Sequence, residues 1–529
     1  MSRAATDRTS DARVASGSHG SSRRARSRLR GLVRDLDGVL LLAIAAGGAL
    51  RFWRLGAQSL WYDEWLTTRA VAGTLRDLLH HVGSREGIAP TYFLGMWGWV
   101  RVFGDGETAL RAVSALIGTA TVPVAYAIAR ELGQRRAGAR VAASLVAVSP
   151  MLVWYSQEAR PYSLVAFIGA LSFLAFARVQ NRGRRRDFVS WALICACTIA
   201  IHYFAVFIVA AEAIGLLLSR PRERRQVLLS CLPGAVVLAA LVPMAVAQYG
   251  HAANRQWISG FGLDYRLREA GRSSLVGPNP LSGRLWIAAA IVVLISVLLL
   301  ITRADRNERS AAVVAAAVGG VAVLLPLGAV LVGVDVVLSR YLVASLVPLV
   351  VAVSIGLTVC GTRWVGGGAA AILFAVSLAA VVGVARDPQL QKPDWREVVR
   401  VFDTGGPNRT LLLSTSGTIA SPLLYYASDV RVLAGDQRVR VDEIDVLSVK
   451  PTAKPCNLLV GRACAMIFLG APLPASIAGD FRLETRYRLP QFTLDRYRAV
   501  RTQHLTKAQL VAPQNLPDSL ALLTMTSAP

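Results

Sequence analysis

Eleven apolar runs, separated by turns about half of which are rich in arginine, restrict the fold more than any other feature of the sequence. They fall at Gly38–Leu50, Ala109–Ala129, Ala137–Tyr155, Pro161–Phe176, Phe188–His202, Tyr203–Leu218, Gln226–Ala247, Leu285–Ile301, Ala311–Val332, Tyr341–Cys360 and Val365–Val384. Most approach the roughly 18 to 20 residues that a helix needs to cross a bilayer. A chain in hydrocarbon must satisfy its own backbone N–H and C=O groups, so the runs are read as helices. Composition agrees, with 54% of the 529 residues hydrophobic and 17% charged, against about 25% charged in soluble domains. The expected fold is therefore an α-helical polytopic membrane protein with about eleven transmembrane helices.

The net charge of +25 would point to nucleic acid in a soluble protein. Here the arginines follow the rule that cytoplasmic loops are basic. Residues 1–35, with Arg23, Arg24, Arg26, Arg28, Arg30 and Arg34, read as a disordered cytoplasmic tail. The first run is followed by Arg51, Phe52, Trp53 and Arg54 rather than by a small-residue cleavage site, so it is a retained span leading out of the cytoplasm. The clusters around Arg130–Arg140, Arg178–Arg186, Arg220–Arg225 and Arg303–Arg309, and finally Arg363, then all face the cytoplasm, provided that the run ending at Phe103 lies on the surface. That run is about 14 residues and carries Trp97 and Trp99, as an interfacial helix would. The bilayer is thus a partner, and no nucleic acid is expected.

The same map collects a different set of side chains on the outer face. The first outer loop, residues 56–107, opens with Leu60-Trp61-Tyr62-Asp63-Glu64-Trp65, two acids between aromatic rings at bilayer depth, followed by a helical stretch from Glu64 to His81 and by Pro90 and Tyr92, which shape the interfacial helix. Outer turns also hold Glu158, Arg160 and Tyr162, then His202 and Tyr203, a long loop from Tyr249 to Arg284, and Arg340. Each has a structural reading beside the functional one. Glu64 faces either the site or the polar side of its helix, Glu158 and Arg160 either pair with each other or serve a site, His202 is a core histidine or a site residue, and Arg340 is an anchor or a phosphate ligand. Arg51 and Arg54 are weaker phosphate candidates.

Beyond Arg386 the spans stop. An amphipathic helix at Asp394–Phe402, strands at Thr410–Leu413, Val430–Leu433, Ala465–Leu469 and Phe492–Val500, and a helix at Ile419–Ala427 make residues 386–529 a small extracytoplasmic α/β domain behind a membrane domain of residues 36–385. Cys456 and Cys464 would share an oxidising compartment, which leaves a disulfide between them open. No spacing points to a structural zinc site.

A carboxylate at a membrane surface, facing cations from other turns, suits a reaction whose leaving group is carried on a lipid. A hydroxyl attacking a sugar carbon needs a general base, which Asp63 can supply. The departing phosphate needs cations, for which Arg160, Arg340 and His202 stand ready. A single displacement of this kind inverts the anomeric centre and needs no protein nucleophile.

The order of these features is informative in itself. The first span, the Asp63-Glu64 pair, the Pro90 helix, Phe103-Gly104 with Arg111 at the next span, and the turn Tyr155-Ser156-Gln157-Glu158-Ala159-Arg160-Pro161-Tyr162 resemble bacterial GT-C glycosyltransferases. The likeness is to the protein O-mannosyltransferase and aminoarabinose-transferase group, over Leu50–Leu218 and more loosely to Val384. It implies a polyprenyl-phosphate sugar donor, a protein, lipid or glycan acceptor, transfer on the outer face of the cytoplasmic membrane, and Asp63 as the catalytic Asp with Glu64 beside it. Glu158 takes the place of a second acid that is often Asp in relatives. No cofactor is required; some relatives hold a divalent metal and others work without one, so no metal ligand is assigned. Two other classes compete. One is a transporter or flippase of lipid-linked saccharide, which the lack of a clear internal repeat disfavours, and the other is a non-catalytic envelope scaffold.

Overall fold

The computed structural model describes residues 37–250, 258, 262–279, 283–404, 408–413, 422–427, 431–432, 438–449, 473, 475–510 and 522–525. Its membrane half is a helical bundle in chain order: α1 (Gly38–Phe52), α2 (Tyr62–Ala72), α3 (Leu75–Arg85), α4 (Thr91–Phe103), α5 (Glu107–Glu131), α6 (Arg136–Val148), α7 (Pro150–Ser156), α8 (Tyr162–Arg182), α9 (Arg185–Ile201), α10 (Val206–Ser219), α11 (Arg224–Gly250), α12 (Leu263–Val276), α13 (Leu285–Thr302), α14 (Arg306–Leu331), α15 (Val343–Leu357) and α16 (Arg363–Arg386). All eleven apolar runs are helical. Seven helices, α5, α8, α11 and α13 to α16, are long and apolar enough to cross a membrane, and α6 with α7 makes an eighth if that pair is one bent span. The shorter α1, α9 and α10 pack beside them, so length alone does not reach the expected eleven.

The first loop departs from expectation. The stretch read as one helix is two, because Thr74 caps the second: its hydroxyl accepts from the Asp77 N–H, while the Asp77 carboxylate accepts from the Thr74 N–H. This is a capping box, strong enough to start a new helix after Gly73. The second helix packs with α4 through Leu78, Val82, Tyr92, Phe93 and Met96. The long loop after α11 likewise contains a helix, α12, whose Arg266 grips Asp335 with two bonds of 2.6 and 2.7 Å and so pins the turn that carries Arg340.

The break between α6 and α7 bends the chain by 52°. Pro150 has no N–H to give to the Val146 carbonyl, and a buried orphan carbonyl is costly. Arg51 supplies the missing donors. Its Nη2 donates to the Val146 carbonyl at 3.1 Å, its Nη1 to the Ala147 and Gly47 carbonyls at 2.8 and 2.9 Å, and its Nε to Ser156 Oγ at 3.2 Å. The guanidinium fits only because its neighbours are small: a Cβ on Gly118 would lie 2.0 Å from Ser156 Oγ and 3.0 Å from Arg51 Nε. Arg51 is therefore consumed by the fold and is no phosphate ligand, whereas Arg54 is exposed.

After α16, helix α17 (Trp395–Asp403) lays Trp395, Val398 and Phe402 on a six-stranded sheet. The strands are β1 (Arg409–Leu413), β2 (Arg431–Val432), β3 (Arg438–Val449), β4 (Phe481–Arg488), β5 (Phe492–Thr506) and β6 (Leu522–Met525), in the order β2-β6-β1-β3-β5-β4. Only β1 and β3 run parallel; the other neighbours are antiparallel. The charged strands β3 and β4 escape the sequence reading because Arg, Asp and Glu interrupt their alternation. The strand expected at 465–469, the cysteines Cys456 and Cys464, and the tail 1–35 lie outside the described residues.

Replacing Arg51 by Met should leave at least two buried carbonyls without donors, at about 1–3 kcal/mol each. Thermal unfolding in detergent should show R51M markedly destabilised and R54M within about 0.5 kcal/mol of the parent, as for surface changes generally; equal behaviour of the two would refute the role given to Arg51.

Candidate active site

The first loop and the α7–α8 turn are knitted around one ion pair. Glu64, fully buried, receives Arg111 Nε on Oε1 at 2.7 Å and Arg111 Nη2 on Oε2 at 2.6 Å. Arg111 spends its other bonds on the carbonyls of Leu55, Gln58 and Ser59, at 3.1, 2.7 and 3.0 Å. Glu64 Oε1 also accepts the Ala159 N–H at 2.9 Å, which ties in the α7–α8 turn. Burial alone would raise the pKa of Glu64, but Arg111 and Lys392 outweigh it and bring the pKa down to about 2. With both oxygens engaged, Glu64 belongs to the frame.

Asp63, the adjacent residue, points the other way. Its Oδ2 accepts from Arg340 Nη1 at 2.8 Å, a contact between residues 277 positions apart. The Arg340 guanidinium also lies 5.8 and 5.5 Å from the ring centres of Tyr162 and Tyr341. Arg160 comes in from the other side, donating to the Asp63 carbonyl at 3.1 Å and to Glu86 Oε2 at 3.2 Å. The ring of His202 stands 6.2 Å from that of Tyr162 and 5.6 Å from that of Tyr341. Its Nδ1 accepts the Phe204 N–H, which places the proton on Nε2, a buried nitrogen with no hydrogen-bond partner. Asp63, Glu64, Glu158, Arg160, Tyr162, His202 and Arg340 thus form one connected group. Tyr203, next in the chain, is half-buried and its hydroxyl lies outside these contacts.

Glu158 and Arg160 do not pair with each other. Arg160 is matched to Glu86, and Glu158 Oε1 lies 3.5 Å from Lys392 Nζ. Burial pushes the carboxyls of both Glu86 and Glu158 above the usual range, Arg160 offsetting the first and Lys392 the second. Sequence reasoning passed over Glu86, Lys392 and the clamping role of Arg111. For Lys392 a signal existed: the chain has four lysines among 58 basic residues, all beyond Arg386, and this is the first. Among the described residues, no group of three or more His, Cys, Asp or Glu side chains is placed to hold a metal ion.

Apart from the charged group, a cavity of about 630 Å³ runs between α13, α14 and α15. Leu145, Pro150, Val293, Leu300 and Leu346 are among its apolar lining, and Val297, Ile301 and Val313 are exposed on the flank of the bundle that opens it.

The Glu64–Arg111 pair makes a stability prediction. Because the folded pKa of Glu64 is depressed, its contribution is complete above about 4.5 and is lost as pH falls towards about 2. Amide exchange over residues 62–72 should accelerate in that window. Glu64→Gln should abolish the window and cost roughly 3–5 kcal/mol, by leaving Arg111 buried without its counter-charge; unchanged exchange in that variant would show that the pair does not hold the loop.

A family model for dolichyl-phosphate-mannose-protein mannosyltransferases matches residues 88–249. Comparison with curated proteins gives no match. Among solved structures, ArnT from Cupriavidus metallidurans in the apo state superposes with a TM-score of 0.52 at 12% identity, covering 90% of this chain and 99% of that one. The same protein has been solved bound to undecaprenyl phosphate, with a TM-score of 0.49 at 12% identity and the same coverage. The oligosaccharyltransferase AglB from Archaeoglobus fulgidus, in complex with an inhibitory peptide and a dolichol-phosphate, gives 0.43 at 14% identity over 70% of this chain. The chain spans 58% of the length of that relative. In sequence over residues 88–249 and in fold over most of its length, this chain resembles the GT-C class of membrane glycosyltransferases, alongside the O-mannosyltransferases and ArnT.

Proposed function

We propose that this protein transfers a sugar from a polyprenyl-phosphate donor to a hydroxyl acceptor on the extracytoplasmic face of the cytoplasmic membrane, by an inverting single displacement with Asp63 as general base. The observation that carries the reading is the partly buried contact between Asp63 Oδ2 and Arg340 Nη1. On this reading Asp63 serves as base and Arg340 as phosphate-binding cation, side by side where a lipid-borne substrate would present its anomeric carbon. The arginine-rich ends of the helices orient that face away from the cytoplasm, with the N-terminus inside and the C-terminal domain outside. On this reading the apolar cavity beside α15 takes the isoprenoid chain, and the ArnT neighbour was solved bound to undecaprenyl phosphate.

In the step itself, Asp63 takes the acceptor's hydroxyl proton as the acceptor oxygen bonds to the anomeric carbon. The bond from that carbon to the phosphate oxygen breaks, and the polyprenyl phosphate leaves with the electron pair. A guanidinium has five N–H donors, so Arg340 can hold Asp63 and phosphate together. As charge grows on the leaving group, its hold shifts towards phosphate and Asp63 is released to act as base. His202, with its proton on Nε2, and Arg160 are the further donors for that charge. Glu158 is assigned to the acceptor in this reading.

Purified protein incubated with a panel of polyprenyl-phosphate sugars, followed by mass spectrometry, should show donor consumption. Asp63→Asn should lower turnover by about 10²–10⁴-fold, the range for loss of a general base, with thermal stability unchanged. Full turnover in that variant would remove Asp63 as the base, and donor movement across liposomes without any transfer product would favour a transporter.

A further inference from the structure

Lys392 belongs in sequence to the segment that leaves the last membrane helix, yet in space it is a buried member of the site, 4% exposed. Its ammonium lies 3.3 Å from Glu64 Oε2 and 3.5 Å from Glu158 Oε1, and 5.7 and 5.6 Å from the ring centres of Trp61 and Trp154. Its two acidic neighbours depend on it unequally. Glu64 already holds both guanidinium bonds from Arg111 and the Ala159 N–H. Glu158 has Lys392 as its ion-pair partner among the described residues, and its Oε2 is buried without a hydrogen-bond partner. A fully buried carboxylate with an idle oxygen is expensive, unless that oxygen has a partner to come.

The backbone around Lys392 is fastened from two sides. Its N–H donates to Gln58 Oε1 of the first loop at 3.0 Å. Its carbonyl, with those of Gln391 and Pro388, accepts from Gln491 Nε2 of the C-terminal domain at 3.1, 2.9 and 2.8 Å. Two residues on, Asp394 accepts from Ser59 Oγ at 2.9 Å, and Arg396 reaches Glu107 at 3.1 Å. The ammonium is thus delivered to a fixed place by the docking of the outer domain on the first loop.

We infer that Lys392 is a positioning residue for the transfer reaction: it holds Glu158 as a carboxylate with Oε2 turned to a substrate hydroxyl, so that the C-terminal domain completes a site otherwise built by the membrane helices. The inference rests on the proposed glycosyl transfer. Facing Glu158 are Lys392, Glu64, Asp63, Arg340 and the phenols of Tyr92 and Tyr155. Burial, then Glu64 and Asp63, favour the protonated form, and Lys392 with Arg340 opposes them. Removing the lysine therefore raises the pH at which Glu158 ionises.

Infrared titration tests this directly and needs no substrate. The protonated-carboxyl band that disappears in Glu158→Gln should titrate in the parent, move upward by at least about one pH unit in Lys392→Met, and stay near the parent value in Lys392→Arg. With polyprenyl-phosphate mannose as donor, the acid limb of kcat/KM should follow the same midpoint. Below both midpoints Lys392→Met should be at least about tenfold slower than the parent, with the loss recovered above both, since one unit is a factor of ten. An unmoved band, or a moved band with an unmoved rate profile, overturns the inference. If Lys392→Met does not accumulate in membranes, Lys392→Met/Glu158→Gln leaves neither charge alone, and it should be no slower than Glu158→Gln; a further tenfold loss would show that Lys392 acts otherwise than through Glu158. A shifted band in a protein whose Asp63→Asn variant keeps full transfer would instead leave the lysine pairing intact and refute the catalytic reading.

Discussion

The site depends on the buried pair of Glu64 and Arg111. Taking two charges out of water costs several kcal/mol per ion, and the mutual attraction offsets this only when the remaining donors and acceptors are also used. Here they are: three loop carbonyls for Arg111, and a backbone N–H and a second cation for Glu64. The pair therefore fixes the start of α2 against α5 and the α7–α8 turn against both. Asp63 and Arg160 inherit their places from that frame, since one is adjacent to Glu64 in the chain and the other follows the Ala159 amide that Glu64 binds. Adjacent acids in one motif thus divide into a frame residue and a site residue because successive positions on a helix face different neighbours.

The α7–α8 turn is also held from beneath. Arg51 closes the break that Pro150 opens, and Gln157 Nε2 donates to the carbonyls of Leu50, Arg51 and Trp53 at 3.1, 3.2 and 3.0 Å, where α1 ends. The bend lets a chain segment that would otherwise continue as one helix present Glu158 and Arg160 sideways into the loop. Two arginines in apolar surroundings, Arg51 and Arg111, thus perform the same task with different partners. One answers carbonyls and a hydroxyl, the other a carboxylate and three carbonyls, and each replaces hydration that the membrane interior cannot provide.

Much of this was legible in the residues. Apolar runs give helices because backbone satisfaction in lipid leaves no alternative, and acids among aromatic rings mark a site because such placement is costly. Asp63, Glu158, His202 and Arg340 come from four separate stretches, and the arginine map groups them on one face without any distance information. The partners within that group were not legible. Glu158 with Lys392, and Arg160 with Glu86, are pairings set by packing over 234 and 74 residues of sequence separation. Nothing local distinguishes them from the Glu158–Arg160 contact that proximity suggests. The Thr74–Asp77 capping box, by contrast, was present in the sequence and was outweighed by helical periodicity on both sides of Gly73.

The pairings also set the charge of the site. Asp63, Glu64, Glu86 and Glu158 are answered by Arg340, Arg111, Arg160 and Lys392, so four carboxylates meet four cations and the group is neutral when all are ionised. A neutral group can be buried where a charged one cannot. Under the proposed reaction a donor phosphodiester brings one negative charge. As the acceptor proton passes to Asp63, the group gains one positive charge while the leaving phosphate gains one negative. The total within the site does not change during the step, but the positive charge arises on the side that faces the new negative one. Electrostatic work is then done by redistribution inside a fixed frame, which is the condition under which a low-dielectric site stabilises a transition state without reorganising itself.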